Sequence, residues 1–281
     1  MRSNTTGPFV AAPMLIALLS TAPALAQTLT PVEQNRSVQG SVFALSCGPD
    51  GDDQREVAPD FEPFSASVQA MIACESAVSR GAAEQRSTIG GHAIVAMGSA
   101  DIRIEGETPG ANSAMGRSDM SVTVRLDEPA RFRLLGNIGA RADGGDALFS
   151  GVRVTLTRGD GQSIASHEGG AAGAGPEFVE EFDDMGRIEP GVYELRAFGS
   201  SVADVPTDPN GLGNAVFDLS LAVGPVCAAD IDGDGQATVS DFFAFVSAFA
   251  HGDPAADVNL DAQVDVRDFF AFVLAFRHGC E

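Results

Sequence analysis

The sequence predicts a mainly β protein: an antiparallel β-sandwich of jelly-roll type, followed by a small α-helical domain at the C-terminal end. Three observations carry that expectation. Apolar and polar residues alternate at period two through much of residues 27–223, turn-forming clusters separate the alternating runs, and one 23-residue pattern is written twice between residues 230 and 279.

The chain begins MRSNTTGPFVAAPMLIALLSTAPALAQ, with one early Arg, an apolar run from Phe9 to Leu19, and small residues at Ala24 and Ala26. That is the order of a secretory signal peptide, residues 1–26, cleaved after Ala26. Pro13 interrupts the run, which is short for a bilayer, so no membrane span is expected once the peptide is removed. The expected location is secreted, extracellular or at the cell surface. The formal charge of −22 comes from 39 acidic residues against 17 basic ones, all of them Arg. Such a surface repels nucleic acid and anionic lipid and attracts divalent cations.

Export makes the four cysteines candidates for disulfides. Cys47 and Cys74 lie in the front region, whereas Cys227 and Cys280 bracket the duplicated pattern. The pairing expected is therefore 47 with 74 and 227 with 280.

The front region, 27–223, reads as strands. Val122, Val124 and Leu126 alternate with Thr123 and Arg125; Val152, Val154 and Leu156 alternate with Arg153 and Thr155; Phe217, Leu219, Leu221 and Val223 alternate with Asp218, Ser220 and Ala222. The intervening DEPA, RADGGD, RGDGQ, IEPGVY and TDPNGLGN are turn signals at antiparallel spacing. FSASVQAMIACESAVSRGAAEQRSTI is Ala-rich enough for a helix, but Val68, Ala70, Ile72 and Cys74 share one face at period two, which favours strand. From AEQRSTI through AMGSAD and SVTVRL to EPGVYELRAFG, the order of features resembles an uncharacterised β-rich domain of exported bacterial proteins with sorting or anchoring tails. That resemblance implies no activity.

Catalytic chemistry is not legible in this region. His92 and His167 are its histidines and lack the HExxH spacing, while Ser41 and Ser46 lack a nucleophile-elbow context. Glu180, Glu181, Asp183 and Asp184 read as a solvated strand end rather than paired glycosidase carboxylates, because neighbours on a strand point to opposite faces. Tyr193 alternates with Leu195 and Ala197 and reads as core. Without Trp, a glycan-stacking face is poorly supplied, although a glycan ligand of the β domain stays open.

In the first copy of the duplicated pattern, carboxylates fall at loop positions 1, 3, 5 and 12 as Asp230, Asp232, Asp234 and Asp241, with Gly235 at position 6. Gln236 would add a backbone carbonyl and Thr238 a water-mediated ligand. The second copy supplies Asp257, Asn259, Asp261, Gln263 by its carbonyl, Asp265 and Asp268. Calcium takes about six to eight oxygen ligands, and loops of this spacing wrap them around one ion, so two calcium sites are expected. Acidic helix starts would explain Asp241 and Asp268 alone. Ala262 stands at position 6 of the second loop, where left-handed backbone disfavours any residue but glycine.

After each loop, Phe242, Phe245, Val246 and Phe249, then Phe269, Phe272, Val273 and Phe276, recur at helical spacing. Each stripe is the expected partner of the other, and Gly252 and Gly279 are expected to end the helices.

Paired loop–helix units with Asp at position 12, no entering helix, and the CAADIDGDG, GDPAAD and HGC stretches resemble a dockerin domain of the GC type. The resemblance covers residues 224–281 and implies a calcium-dependent, EF-hand-like fold that docks onto a cohesin-like or other surface protein. It also implies that positions 10 and 11 of each loop, Val239 and Ser240, then Val266 and Arg267, contribute to partner choice. The function expected is thus a non-catalytic exported protein anchored through its tail. The rivals are an extracellular hydrolase carrying the same tail and a carbohydrate-binding or adhesion module.

Overall fold

A computed structural model describes residues 29–280 apart from 45–46, 49, 76, 107–111, 145–147, 174, 205–209 and 234–235. The expected signal peptide, Ser46, Asp234 and Gly235 therefore lie outside the described residues. Among the described residues are twelve strands: β1 (Thr30–Ala44), β2 (Gly51–Val57), β3 (Phe64–Cys74), β4 (Ala77–Ile89), β5 (Ala93–Gly106), β6 (Asn112–Leu126), β7 (Ala130–Gly144), β8 (Leu148–Arg158), β9 (Ser163–Ala172), β10 (Phe178–Ile188), β11 (Gly191–Asp204) and β12 (Gly211–Pro225). Two helices follow, α1 (Val239–His251) and α2 (Val266–His278).

The strands form two six-stranded antiparallel sheets, ordered β2-β1-β6-β11-β8-β9 and β10-β7-β12-β5-β4-β3. Successive strands from β5 to β8, and again from β9 to β12, cross between sheets, which makes the mainly β sandwich expected from the alternation. Val122, Val124, Val154, Leu156, Leu219 and Leu221 all point into the shared core, as does Tyr193, whose hydroxyl donates to the Glu189 carbonyl at 2.7 Å. The Ala-rich segment is strand, β3 paired with β4 from Phe64↔Ser87 to Cys74↔Ala77. Its small residues suit a place where the sheets nearly touch. A Cβ on Gly81 of β4 would lie 2.2 Å from the Met115 carbonyl oxygen, and one on Gly116 of β6 would lie 2.3 Å from that of Ala82.

Both expected disulfides are present, Cys47–Cys74 and Cys227–Cys280. The first ties the end of β3 to the stretch after β1, and the second closes the tail from its entrance to its end. No helix among the described residues is long and apolar enough to cross a membrane.

The helices pack through Phe245 and Phe272, both fully buried and stacked with centroids 4.2 Å apart. Phe249, Phe269 and Phe276 surround them. Phe242, Val246 and Val273 differ from the expectation and stand exposed, because two short helices in contact along one line cannot cover a stripe that wide. Gly252 ends α1 in the left-handed region at φ 65°, and Gly279 follows α2 at φ 73°.

The tail is seated on one end of the sandwich. β12 continues to Pro225, two residues beyond the expected junction. Arg131 of β7 donates from Nε to the Pro225 carbonyl at 2.7 Å and from Nη2 to that of Val258 at 3.4 Å. Arg133 donates to the Asn259 carbonyl at 3.2 Å and holds Asp183 of β10 in a two-pronged pair at 2.8 Å.

Candidate metal centre

In the first loop, carboxylate oxygens of Asp230, Asp232 and Asp241 lie within 4.8 Å of one another; in the second, those of Asp257, Asp261 and Asp268 do the same. Chain geometry produces both clusters. Asp241 and Asp268 each occupy the third position of a helix whose N-cap, Thr238 or Asp265, completes a capping box with it. That fixes the carboxylate at the helix start, where the loop backbone folds over it. Asp241 accepts from the amides of Ile231 at 2.8 Å, Asp232 at 3.0 Å and Thr238 at 2.7 Å, and from the Thr238 hydroxyl at 3.0 Å. Burial alone would raise its pKa, but these donors outweigh burial and hold it below the ordinary carboxylate value. Asp268 accepts from the amides of Asn259 at 3.1 Å and Asp265 at 2.8 Å.

The structure thus brings six of the expected ligands into two groups of three. Thr238 and Asp265, at position 9, serve as helix N-caps, and Asp265 accepts from the Arg267 amide at 2.7 Å. Gln263 donates its amide to Asp261 at 3.0 Å, as the loop turns back on itself. Gln236 stands two residues before the N-cap Thr238.

The second loop carries the marks of an unbalanced charge. Asp257 has its pKa raised to about 6, first by burial and then by the nearby charges of Asp268 and Asp261. Asn259 Oδ1, at position 3, is buried without a hydrogen-bond donor. Three close carboxylates and an orphaned amide oxygen fit a hard divalent cation. Oxygen donors without His or Cys favour calcium or magnesium over zinc. The backbone is strained here as well: Leu260 and Ala262 have φ of 60° and 63°. Leu260 is nevertheless buried, against Gly224, where an added Cβ would come 3.0 Å from Leu260 Cδ2.

A crevice of about 390 Å³ separates loops and sandwich, lined by Asp230 and Asp257 on the tail and by His92, Glu128 and Arg187 opposite. Asp257 acts electrostatically on both neighbouring arginines. Burial lowers the Arg131 pKa against that pull, and the Asp183 hydrogen bond, aided by Asp183, Asp261 and Asp257 charges, raises that of Arg133.

The helices turn a second apolar surface to solvent. Val239, Phe243 and Val246 on α1 are matched, 27 residues on, by Val266, Phe270 and Val273 on α2, with Leu274 beside them. Phe243 is 66% exposed and Phe270 65%. Ser240 and Arg267 follow the exposed Val239 and Val266, and Arg267 pairs with Asp261 at 3.5 Å. The FF doublets were the available signal, since adjacent helical residues stand about 100° apart and cannot both face one core.

A different polar cluster was missed. Glu180 and Asp184 are part-exposed, as a solvated strand end implies, but they lie within β10 and hold His167 of β9. Nδ1 lies 2.7 Å from Glu180 and Nε2 lies 2.6 Å from Asp184, with the ring stacked on Phe182 at 4.2 Å. Asp183, on the opposite face, binds Arg133.

No known protein family's sequence profile matches the chain, and no curated protein matches it. It is similar in structure to the enzymatically active domain of bacteriophage CBA120 tailspike protein 4 (12% identity, 46% of this chain and 18% of that one, TM-score 0.21). It is similar also to infectious bursal disease virus Gx strain (11% identity, 72% and 57%, TM-score 0.26) and to the arabinose-bound MgGH51 α-L-arabinofuranosidase (14% identity, 58% and 23%, TM-score 0.18). The chain spans well under the full length of each of the three. At these scores the likenesses say nothing about activity.

Proposed function

We propose that this is an exported, non-catalytic protein whose C-terminal dockerin-like module folds around two calcium ions and docks the β-sandwich onto a cohesin-like or other protein partner, at the cell surface or in an extracellular assembly. The observation that carries this reading is the duplicated apolar display. Val239, Phe243 and Val246, with Val266, Phe270 and Val273, face solvent on the side of the helices away from the Phe245–Phe272 stack. Exposed aromatics on a small rigid scaffold suit protein docking, and an acidic chain with two disulfides suits an oxidising compartment.

The acidic clusters support calcium as the ion, in keeping with the loop spacing. Glu180 and Asp184, the carboxylates that a glycoside-hydrolase reading would draw on, both bond His167 in a tie between β9 and β10. The test is capture of partners from cell-envelope extract by the full chain in calcium and in chelator. A specific surface protein is expected in calcium only, and Phe243→Ser/Phe270→Ser should lose it while keeping the wild-type melting profile. Equal capture by that variant would end the docking proposal.

A further inference from the structure

The two loops are near copies in sequence but not in setting. Loop two is gripped by the sandwich through guanidinium groups: Arg131 reaches the Val258 carbonyl and Arg133 the Asn259 carbonyl, and the next residue, Leu260, is buried against Gly224. Arg131 is anchored in turn on Pro225, and Arg133 on Asp183. The negative charges of Asp257 and Asp261, two of the three clustered carboxylates, reach these cations.

We propose that Arg131 and Arg133 make loop two a shared site, in which seating of the tail on the sandwich and binding of a divalent cation oppose one another. The inference rests on the calcium reading above. The guanidiniums bond the backbone carbonyls of loop two and stand within electrostatic reach of two of the carboxylates that would hold the ion. Two fixed positive charges beside the loop lower its affinity for a dication, and by linkage the dication weakens the electrostatic part of the seat by the same factor. The described bonds from Arg131 and Arg133 go to loop two, and loop one is the stronger site. The sandwich thereby becomes a modulator of the tail: filling loop one keeps the module folded, and filling loop two at higher calcium loosens it from the sandwich.

The experiment is calorimetric calcium titration of the full chain at low ionic strength, comparing wild type with Arg133→Gln, Arg131→Gln/Arg133→Gln and the charge-keeping Arg133→Lys. Two unequal sites are expected in wild type. The weaker should tighten about five-fold in the double Gln variant and less in the single, with Arg133→Lys unchanged and the stronger site unmoved throughout. Added salt should shrink the difference between variants. Arg133 is half-buried at the rim of the seam, so its single Gln variant answers the question even if the double variant does not fold. If the Gln variants leave both sites unchanged, or weaken loop two because its carbonyls have lost their donors, the proposal is overturned while the calcium reading stands. If wild type takes up no calcium, both fall.

Discussion

Replacing Ala262 with glycine should stabilise the second loop, and the backbone gives the size of the effect. Ala262 sits at φ 63°, with its amide donating to Asp257 Oδ2 at 2.9 Å. An L-residue in that region costs about 1–2 kcal/mol, which glycine avoids, while glycine's freer unfolded chain takes back about 0.5–1 kcal/mol. The net gain is therefore about 1 kcal/mol, equivalent to about five-fold in an equilibrium constant. Where it appears depends on when the bend forms. A loop already bent without ion shows the gain as a tail melting about 4–8 °C higher when calcium suffices for loop one only. A loop bent by the ion shows it instead as tighter calcium binding. Differential scanning calorimetry at limiting calcium and a calcium titration together capture both parts. Leu260→Gly is the contrasting variant: its φ of 60° is equally unfavourable, but the buried side chain against Gly224 is lost, so this change should destabilise. If Ala262→Gly yields no gain in either measurement, backbone strain in loop two is not what weakens it.

The remaining predictions concern the staples of each region. His167 is expected to tie β9 to β10 most strongly as an imidazolium: burial opposes the charge, but the bonds to Asp184 and Glu180 outweigh it and raise the pKa above 6.5. A raised value means the stabilisation is complete below pH 6.5 and lost as pH rises through the folded-state pKa, so sandwich melting should fall across that window, and His167→Gln should flatten the profile. An unchanged slope in the variant would locate the pH dependence elsewhere. Cys227→Ser/Cys280→Ser opens a loop whose ends are 53 residues apart, and loop-closure entropy puts the loss at about 4 kcal/mol. Tail unfolding in urea should move to lower concentration while sandwich unfolding stays in place; coincident loss of both would mean that they unfold as one unit.

Much of this architecture was legible because burial leaves a period in the sequence. Val122, Val124 and Leu126 announced β6, and DEPA and RGDGQ mark the turns from β6 to β7 and from β8 to β9, whereas RADG of RADGGD lies within β7 and GLGN of TDPNGLGN within β12. The β3–β4 segment was harder, since Ala and Ser fit helix and strand alike; what decides it is the close approach of the sheets around Gly81 and Gly116, a property of packing that no local pattern contains. In the tail, loop spacing identified the residues that cluster, and the left-handed bend at Ala262 followed from its position. The seam was not legible. Nothing marks Arg131 and Arg133 among 17 arginines until β7 is placed beside Val258 and Asn259, over 120 residues away. The His167 cluster was hidden likewise, because its partners face it only after β9 and β10 have taken the edges of opposite sheets.

The most direct test of the central claim is the calcium stoichiometry of the full chain, measured by calorimetry with helical circular dichroism followed in parallel. The account predicts two ions per chain, one remaining after Asp230→Asn or after Asp257→Asn, none after both, and a helical signal that falls when chelator is added. Absence of calcium uptake by the wild type, or uptake unaltered in the double variant, would contradict it.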